Sequence, residues 1–248
     1  MKTAVIAPIG MSPPVITEFI DGIGEPVSDL VLLATNNFQV LAGVNLVRAA
    51  LARRYQWLRI HVELLPFDDI ATSEQNHTFM KQAVRVFHEE RERFHCDTIY
   101  LNVAGGRKNM CITLTLVGQL LGADGVFHVV NRNVDVINQR LEMMRRDIST
   151  FTDLSDLQAA ELAYAEKSDQ FDQLLFPDRQ SYEIIRIPTL PYPMDYLGYL
   201  VSGMKEMGAG LTGEDKDLLV KHGMIERAGT SCDLTRQGEA FLEVLFQR

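Results

Sequence analysis

Through the first 130 residues, short and nearly continuous apolar runs alternate with longer segments of helical period, and this alternation constrains the chain more than any other feature. Strands buried on both faces read as unbroken apolar stretches, and parallel neighbours need a long crossover between them. The pattern therefore predicts βαβ units. Strand candidates are Thr3 to Ile9, Asp29 to Thr35, Leu58 to Leu65, Thr98 to Val103 and Gly125 to Val130. Helix candidates lie between them at Pro13 to Ile23, Val40 to Tyr55, Ser73 to Phe94 and Lys108 to Leu121. Five strands and four crossovers make an α/β fold with a doubly wound, mainly parallel sheet.

After Val130 the pattern changes. Residues 132–180 hold six Lys and Arg against ten Asp and Glu and read as one or two acidic helices, a solvated insertion or an arm toward a second copy. A sixth strand is expected at Tyr182 to Ile187, and the proline-rich run Ile187 to Pro193 reads as a linker. This gives a first domain over 1–190 and a small second one over 194–248. The second has helix candidates at Met194 to Met207 and Thr212 to His222, a short ribbon, and a last helix from Arg236 to Phe246 capped by Thr235, an order that resembles a winged helix. Leu242 to Gln247 spells a protease site common in engineered proteins, so those residues carry no weight here.

Composition removes whole classes. A chain of 248 residues that is 46% hydrophobic fills a core, which excludes disorder. Its three cysteines, Cys96, Cys111 and Cys232, are odd in number and far apart, so neither a disulfide framework nor a CxxC metal site is expected. A reducing, cytoplasmic setting follows. No apolar run approaches the roughly 20 residues of a membrane span. The net charge of -9 disfavours a long duplex partner, though not a small anion in a focused pocket. The six histidines show no ligand spacing, and no metal or other cofactor is expected.

In a doubly wound sheet, ligands bind beyond the carboxyl ends of the strands. Gly10-Met11-Ser12-Pro13-Pro14 follows the first strand and opens a helix. Two readings fit it: Ser12 as a plain N-cap, or a helix N-terminus aimed at an anion. Ala104-Gly105-Gly106-Arg107-Lys108-Asn109-Met110 follows the fourth strand. Its glycines permit close backbone approach, Arg107 suits forked phosphate contacts, and Lys108 offers a compact charge for a developing oxyanion. The loop lacks the spacing of a triphosphate or dinucleotide motif. Thr35-Asn36-Asn37, Phe67-Asp68-Asp69 and Asn131-Arg132-Asn133 follow other strands; amides there read base edges and Arg132 meets a phosphate, or all are turn chemistry. Cys111 reads as packing more than as a nucleophile.

Together, Gly10 to Glu18 and Asn102 to Met110 resemble the two signature loops of the CRISPR-associated Rossmann-fold (CARF) proteins. The resemblance covers residues 1 to 190 and implies a sensor of cyclic oligoadenylate made by type III CRISPR complexes. With no RxxxxH ribonuclease motif in the C-terminal third, the chain most resembles the stand-alone ring nucleases. It implies a homodimeric, metal-independent phosphodiesterase acting on cyclic oligoadenylate, with cyclic tetra-adenylate the expected ring. Ser12 would orient a 2′-hydroxyl, and Lys108 would stabilise the phosphorane or the departing oxygen. Gly10, Met11, Pro13, Asn36, Asn37, Gly105, Gly106, Arg107, Asn109 and Arg132 would bind the ring. Ala104 departs from the pattern, which often has a small hydroxyl residue there. The other function considered is a ligand-responsive winged-helix transcription regulator. Residues 196–248, with six Lys and Arg against eight Asp and Glu, are poorly charged for DNA.

Overall fold

A computed structural model describes residues 1–189, 194–228 and 231–246. Strands β1 (Thr3–Ile9), β2 (Asp29–Ala34), β3 (Arg59–Leu64), β4 (Thr98–Asn102) and β5 (Gly125–Asn131) are connected by helices α1 (Pro14–Gly22), α2 (Phe38–Arg54), α3 (Ser73–His88) and α4 (Lys108–Leu121). Four helices follow, α5 (Val134–Met143), α6 (Arg145–Ser149), α7 (Leu157–Glu166) and α8 (Ser168–Leu175), and then β6 (Tyr182–Ile187). The six strands form one sheet in the order β3-β2-β1-β4-β5-β6. All neighbours are parallel except β5 and β6, which run antiparallel with Asn131 opposite Tyr182. This is the doubly wound, mainly parallel, Rossmann-like architecture expected from the sequence.

Burial follows position in the sheet. Every residue of the central strands β1 and β2 is buried, whereas β3 is half-exposed along its length, which corrects the expectation of strands covered on both faces. It lies at the sheet edge, where Arg59, His61 and Glu63 meet solvent and neighbouring side chains instead of a second layer. One face of the sheet packs on α3 and α4 through Phe79, Val84, Leu114 and Val117. The other packs on α1 and α2 through Ile16, Phe19, Val44 and Leu51. The third predicted helix ends sooner than expected. Regular α-geometry stops at His88, and a π-helical turn over Glu89–Arg93 replaces the rest.

The acidic insertion is four helices, not one or two, and it is docked. Phe151, Tyr164, Phe171 and Leu175 bury against Ala42, Leu46, Ala49 and Ala50 on the outer side of α2. Tyr164 and Phe171 stack at 5.3 Å, and Phe151 meets Phe171 edge-on at 5.5 Å. The Thr17 hydroxyl donates to the Leu175 carbonyl and ties α8 to α1.

The remaining elements are α9 (Met194–Lys205), α10 (Gly213–Lys221), β7 (Ile225–Ala228), β8 (Ser231–Leu234) and α11 (Arg236–Phe246). β7 and β8 form an antiparallel ribbon. Thr235 caps α11 by accepting the Gly238 N–H at 3.0 Å. Residues 190–193 of the proline-rich run, the ribbon turn at 229–230 and Gln247 lie outside the described residues. The protease-like segment is integral to the structure: Leu242 is buried among α9, α10 and the ribbon, Val244 is buried with the α3 face of the sheet, and Lys81 pairs with Glu243 at 2.7 Å. No helix among the described residues is long and apolar enough to cross a membrane.

Candidate functional site

The strand order reverses direction between β1 and β4, so the crevice at the switch point lies between the loops that follow these two strands. The loops touch backbone to backbone. A Cβ on Gly10 would sit 3.0 Å from both Cα and N of Gly106, and one on Gly105 would land on the Pro8 carbonyl oxygen. Gly106 has φ +78, a conformation that favours glycine. Close contact thus favours glycine at positions 10 and 105, and at Gly106 the backbone conformation does so as well.

Buried Asn102, at the end of β4, braces both loops. Its Nδ2 donates to the Val15 carbonyl in the first turn of α1 at 3.0 Å, and its Oδ1 accepts the Ala104 N–H at 3.1 Å. Asn102 belongs to the loop motif read from the sequence, where it had no role of its own. A polar residue closing an apolar strand was the available signal.

The predicted site residues separate into groups. Gly10, Met11, Asn37, Gly106 and Arg107 line one small cleft of about 190 Å³, together with Thr35 and Asp68. Met11 and Pro13 line a neighbouring cleft of about 520 Å³ against α2, α5 and α6. Asn109 lies on the other side, in a cleft of about 1120 Å³ between α3 and α11, where its Nδ2 donates to the Ile70 carbonyl. Asn36 is exposed, and Asn37 is the N-cap of α2, accepting the Gln39 N–H at 2.9 Å. Arg132 is exposed at the end of β5, with its backbone N–H donating to the Ser181 carbonyl.

Ser12 is not the cap of α1. The cap position is Pro13, with no side-chain hydrogen bond. The physical reason is local: with Ser12 as cap the N2 position would be Pro14, which has no N–H, so one of the two donors that a capping serine can satisfy is missing. Half-buried Ser12 makes no hydrogen bond among the described residues, so its hydroxyl is uncommitted. Lys108, exposed in the first turn of α4, likewise has no ion pair or side-chain hydrogen bond among them. Arg107 differs, because its guanidinium makes a forked pair with Asp69. Cys111 donates to the Gly105 carbonyl, and burial pushes its thiol up, which fits packing and not nucleophilic attack.

Two buried polar clusters were not foreseen. Behind the switch point, Glu18 of α1 accepts a hydrogen bond from Asn131 Nδ2 at 3.0 Å, while its second oxygen, the Asn131 side-chain amide oxygen and the Tyr182 hydroxyl have no partner among the described residues. Burial lifts the Glu18 carboxyl to about 7, against the lowering effect of the Asn131 bond. At the opposite end of the sheet, Asp29, Glu90 and Cys96 bring ligand atoms within 4.8 Å of one another. The space between the carboxylates is already held by Arg59, which bonds to both and lies over the Phe94 ring at 3.8 Å. Burial raises Asp29, but hydrogen bonds from Ser28 and Arg59 and the Arg59 charge hold it below its ordinary value. Burial, then Asp29 and Glu90, push the Cys96 thiol up to about 12.

A family model described as "CRISPR-associated protein NE0113" matches residues 12–188. No curated protein matches the sequence. Among solved structures, Csm6 from Enterococcus italicus bound to cyclic hexa-2′-fluoro-hexa-dAMP is similar at 14% identity and a TM-score of 0.46, over 83% of this chain and 46% of that one. Can2 from Sulfobacillus thermosulfidooxidans in complex with cyclic tetra-adenylate is similar at 15% identity and 0.37, over 97% and 63%. Protein VC1899 from Vibrio cholerae is similar at 8% identity and 0.41, over 98% and 66%. The chain thus spans about half to two thirds of the length of these proteins.

Proposed function

This chain belongs to the CRISPR-associated protein NE0113 family, and from that premise we propose that it is a ring nuclease that binds a cyclic oligoadenylate and opens it. The observation that carries the reading is the junction at the switch point, where two glycine loops in contact bring a helix N-terminus, an unpartnered Lys108 and an uncommitted Ser12 to one end of the sheet. Backbone N–H groups and a cation around a crevice suit a phosphodiester.

The reaction needs no protein nucleophile. A ribose 2′-oxygen of the ring attacks the adjacent phosphorus, the bond from phosphorus to the 5′-oxygen breaks, and the 2′-hydroxyl proton ends on that departing oxygen. A linear product with a 2′,3′-cyclic phosphate results, with no water consumed. Positioning and charge stabilisation supply the rate. In this scheme Ser12 orients the 2′-hydroxyl, and Lys108 stabilises charge on the phosphorane or the leaving oxygen. Gly10, Met11, Pro13, Gly105 and Gly106 cradle the ring, with Asn36, Asn37, Arg107, Asn109 and Arg132 around it.

A four-fold ring fits a site on a two-fold axis, so the working unit is a homodimer. The surface of α4 supports this. Lys108, Ile112 and Leu116 are four apart on one helix face, and the last two are 63% and 53% exposed, an apolar stripe that begins at the proposed catalytic lysine. Ile112→Glu is expected to convert dimer to monomer in sedimentation and to abolish cleavage.

Incubation with cyclic tetra-adenylate in EDTA, followed by chromatography, tests the central reading. Linear products with a cyclic phosphate are expected, and an unchanged ring after hours overturns it. A gel shift on promoter DNA that requires the ring would favour the regulator instead. Its best recognition helix, α10, carries Glu214, Asp215 and Asp217, which meet phosphates badly.

A further inference from the structure

Beyond Met11 and Pro13, the larger cleft beside the switch point is lined by residues that play no part in the catalytic scheme. Phe38 is the first residue of α2, immediately after the Asn37 cap, and is 60% exposed. Met11 is 58% exposed and lines both this cleft and the small one between the glycine loops, so the two adjoin at its side chain. Exposed apolar side chains are common on this chain, but these two line one cleft at the ligand end of the sheet, where grouped apolar surface marks a ligand groove. The opposite wall comes from the insertion. There, Leu141 supplies apolar surface, and Arg145 and Arg146 stand at the cleft although the insertion as a whole is acidic. Arg145 is held by Glu142, while the Arg146 guanidinium has no partner among the described residues.

An aromatic face, a methionine and a free guanidinium next to a phosphate site match a nucleobase, which stacks on the ring and the guanidinium while its phosphate reaches the glycine loops. We propose that this cleft is a base subsite, in which Phe38 and Met11 form the floor under one purine of the bound ring and Arg146 closes over it from the insertion. The inference rests on the ring-binding reading and makes the insertion the outer wall of the ligand site. Stacking contributes to affinity and is indifferent to the bond being broken.

Calorimetry with cyclic tetra-adenylate on the full chain tests this. Phe38→Ala is expected to weaken binding about 10-fold or more, with a smaller loss for Arg146→Gln. Phe38→Trp in a Trp57→Phe background is expected to retain binding and to lose tryptophan fluorescence on adding the ring but not on adding inorganic pyrophosphate. If the wild type binds the ring while Phe38→Ala binds equally well, or the introduced tryptophan stays unquenched, the base subsite is overturned and ring binding stands. If the wild type does not bind the ring, the functional reading falls, and this inference falls with it.

Discussion

Arg107 and Asp69 are joined by two parallel hydrogen bonds, Nε to Oδ1 at 2.8 Å and Nη2 to Oδ2 at 2.7 Å. The pair ties the loop after β4 to the loop after β3, and it leaves Lys108 as the cation of the glycine loop without a partner among the described residues.

The two neighbours should therefore differ. Lys108→Ala is expected to slow ring cleavage by on the order of 10² or more, with binding still measurable, as for loss of an oxyanion donor. Arg107→Ala is expected to cost about 10-fold or less, because its guanidinium is already engaged and Coulomb attraction across an exposed pair is small. Single-turnover rates on cyclic tetra-adenylate decide this, and equal losses would remove the distinction.

Gly105 has no room for a methyl group, since the Pro8 carbonyl oxygen lies where Cβ would go. Gly105→Ala is expected to lower stability by about 1–3 kcal/mol and to abolish ring binding. Gly198→Ala, in the interior of α9 with open space around it, is the control and is expected to stabilise by up to about 1 kcal/mol. Urea midpoints measure both.

Glu18 makes stability depend on pH in the direction opposite to an ordinary carboxylate. Its folded value, about 7, lies above the ordinary 4.5, so the folded state binds the extra proton. That contribution is complete at acid pH and is lost as the pH rises through about 7. The wild type is expected to lose on the order of 3 kcal/mol between about pH 4.5 and 8 from this group. Glu18→Gln should be nearly flat over the same range. Urea titrations at stepped pH compare them, and parallel curves would show that another group is responsible.

Arg59 sits between two buried carboxylates at the far end of the sheet. Arg59→Met leaves Glu90 without its cation and Asp29 with only Lys2 and Ser28, and is expected to cost about 3–5 kcal/mol at neutral pH. The lowered Asp29 value means that the wild type loses stability as acid protonates that group. The variant should instead recover relative stability toward acid, as protonation relieves the repulsion. Thermal unfolding at about pH 7 and pH 4 separates the two behaviours.

What was legible in the sequence was whatever a local pattern dictates. The bounds of α4 agree with the predicted helix, since Gly105-Gly106 opens it and Gly122 ends it in the left-handed conformation. The glycine loops were correctly expected at strand ends because continuous apolar runs located those ends. The partnership of Arg107 with Asp69 was not legible: Arg107 read as a phosphate contact and Asp69 as turn chemistry, and although β3 and β4 are separated by two strands, the packing of α3 beside α4 on one face of the sheet brings the loops that lead into them together. Of the two readings of Ser12, the N-cap fails for a more local reason, the missing N–H of Pro14. The insertion read as solvated because its charges outnumber its aromatics, yet Phe151, Tyr164 and Phe171 suffice to seat it on α2.

The contact between Gly10 and Gly106 has a mechanical consequence. With no side chain between them, the loops after β1 and β4 meet main chain to main chain, although they belong to distant stretches of the chain. A force applied to either is delivered to the other through main-chain atoms. A side chain at position 10 would therefore part the two walls of the crevice from within.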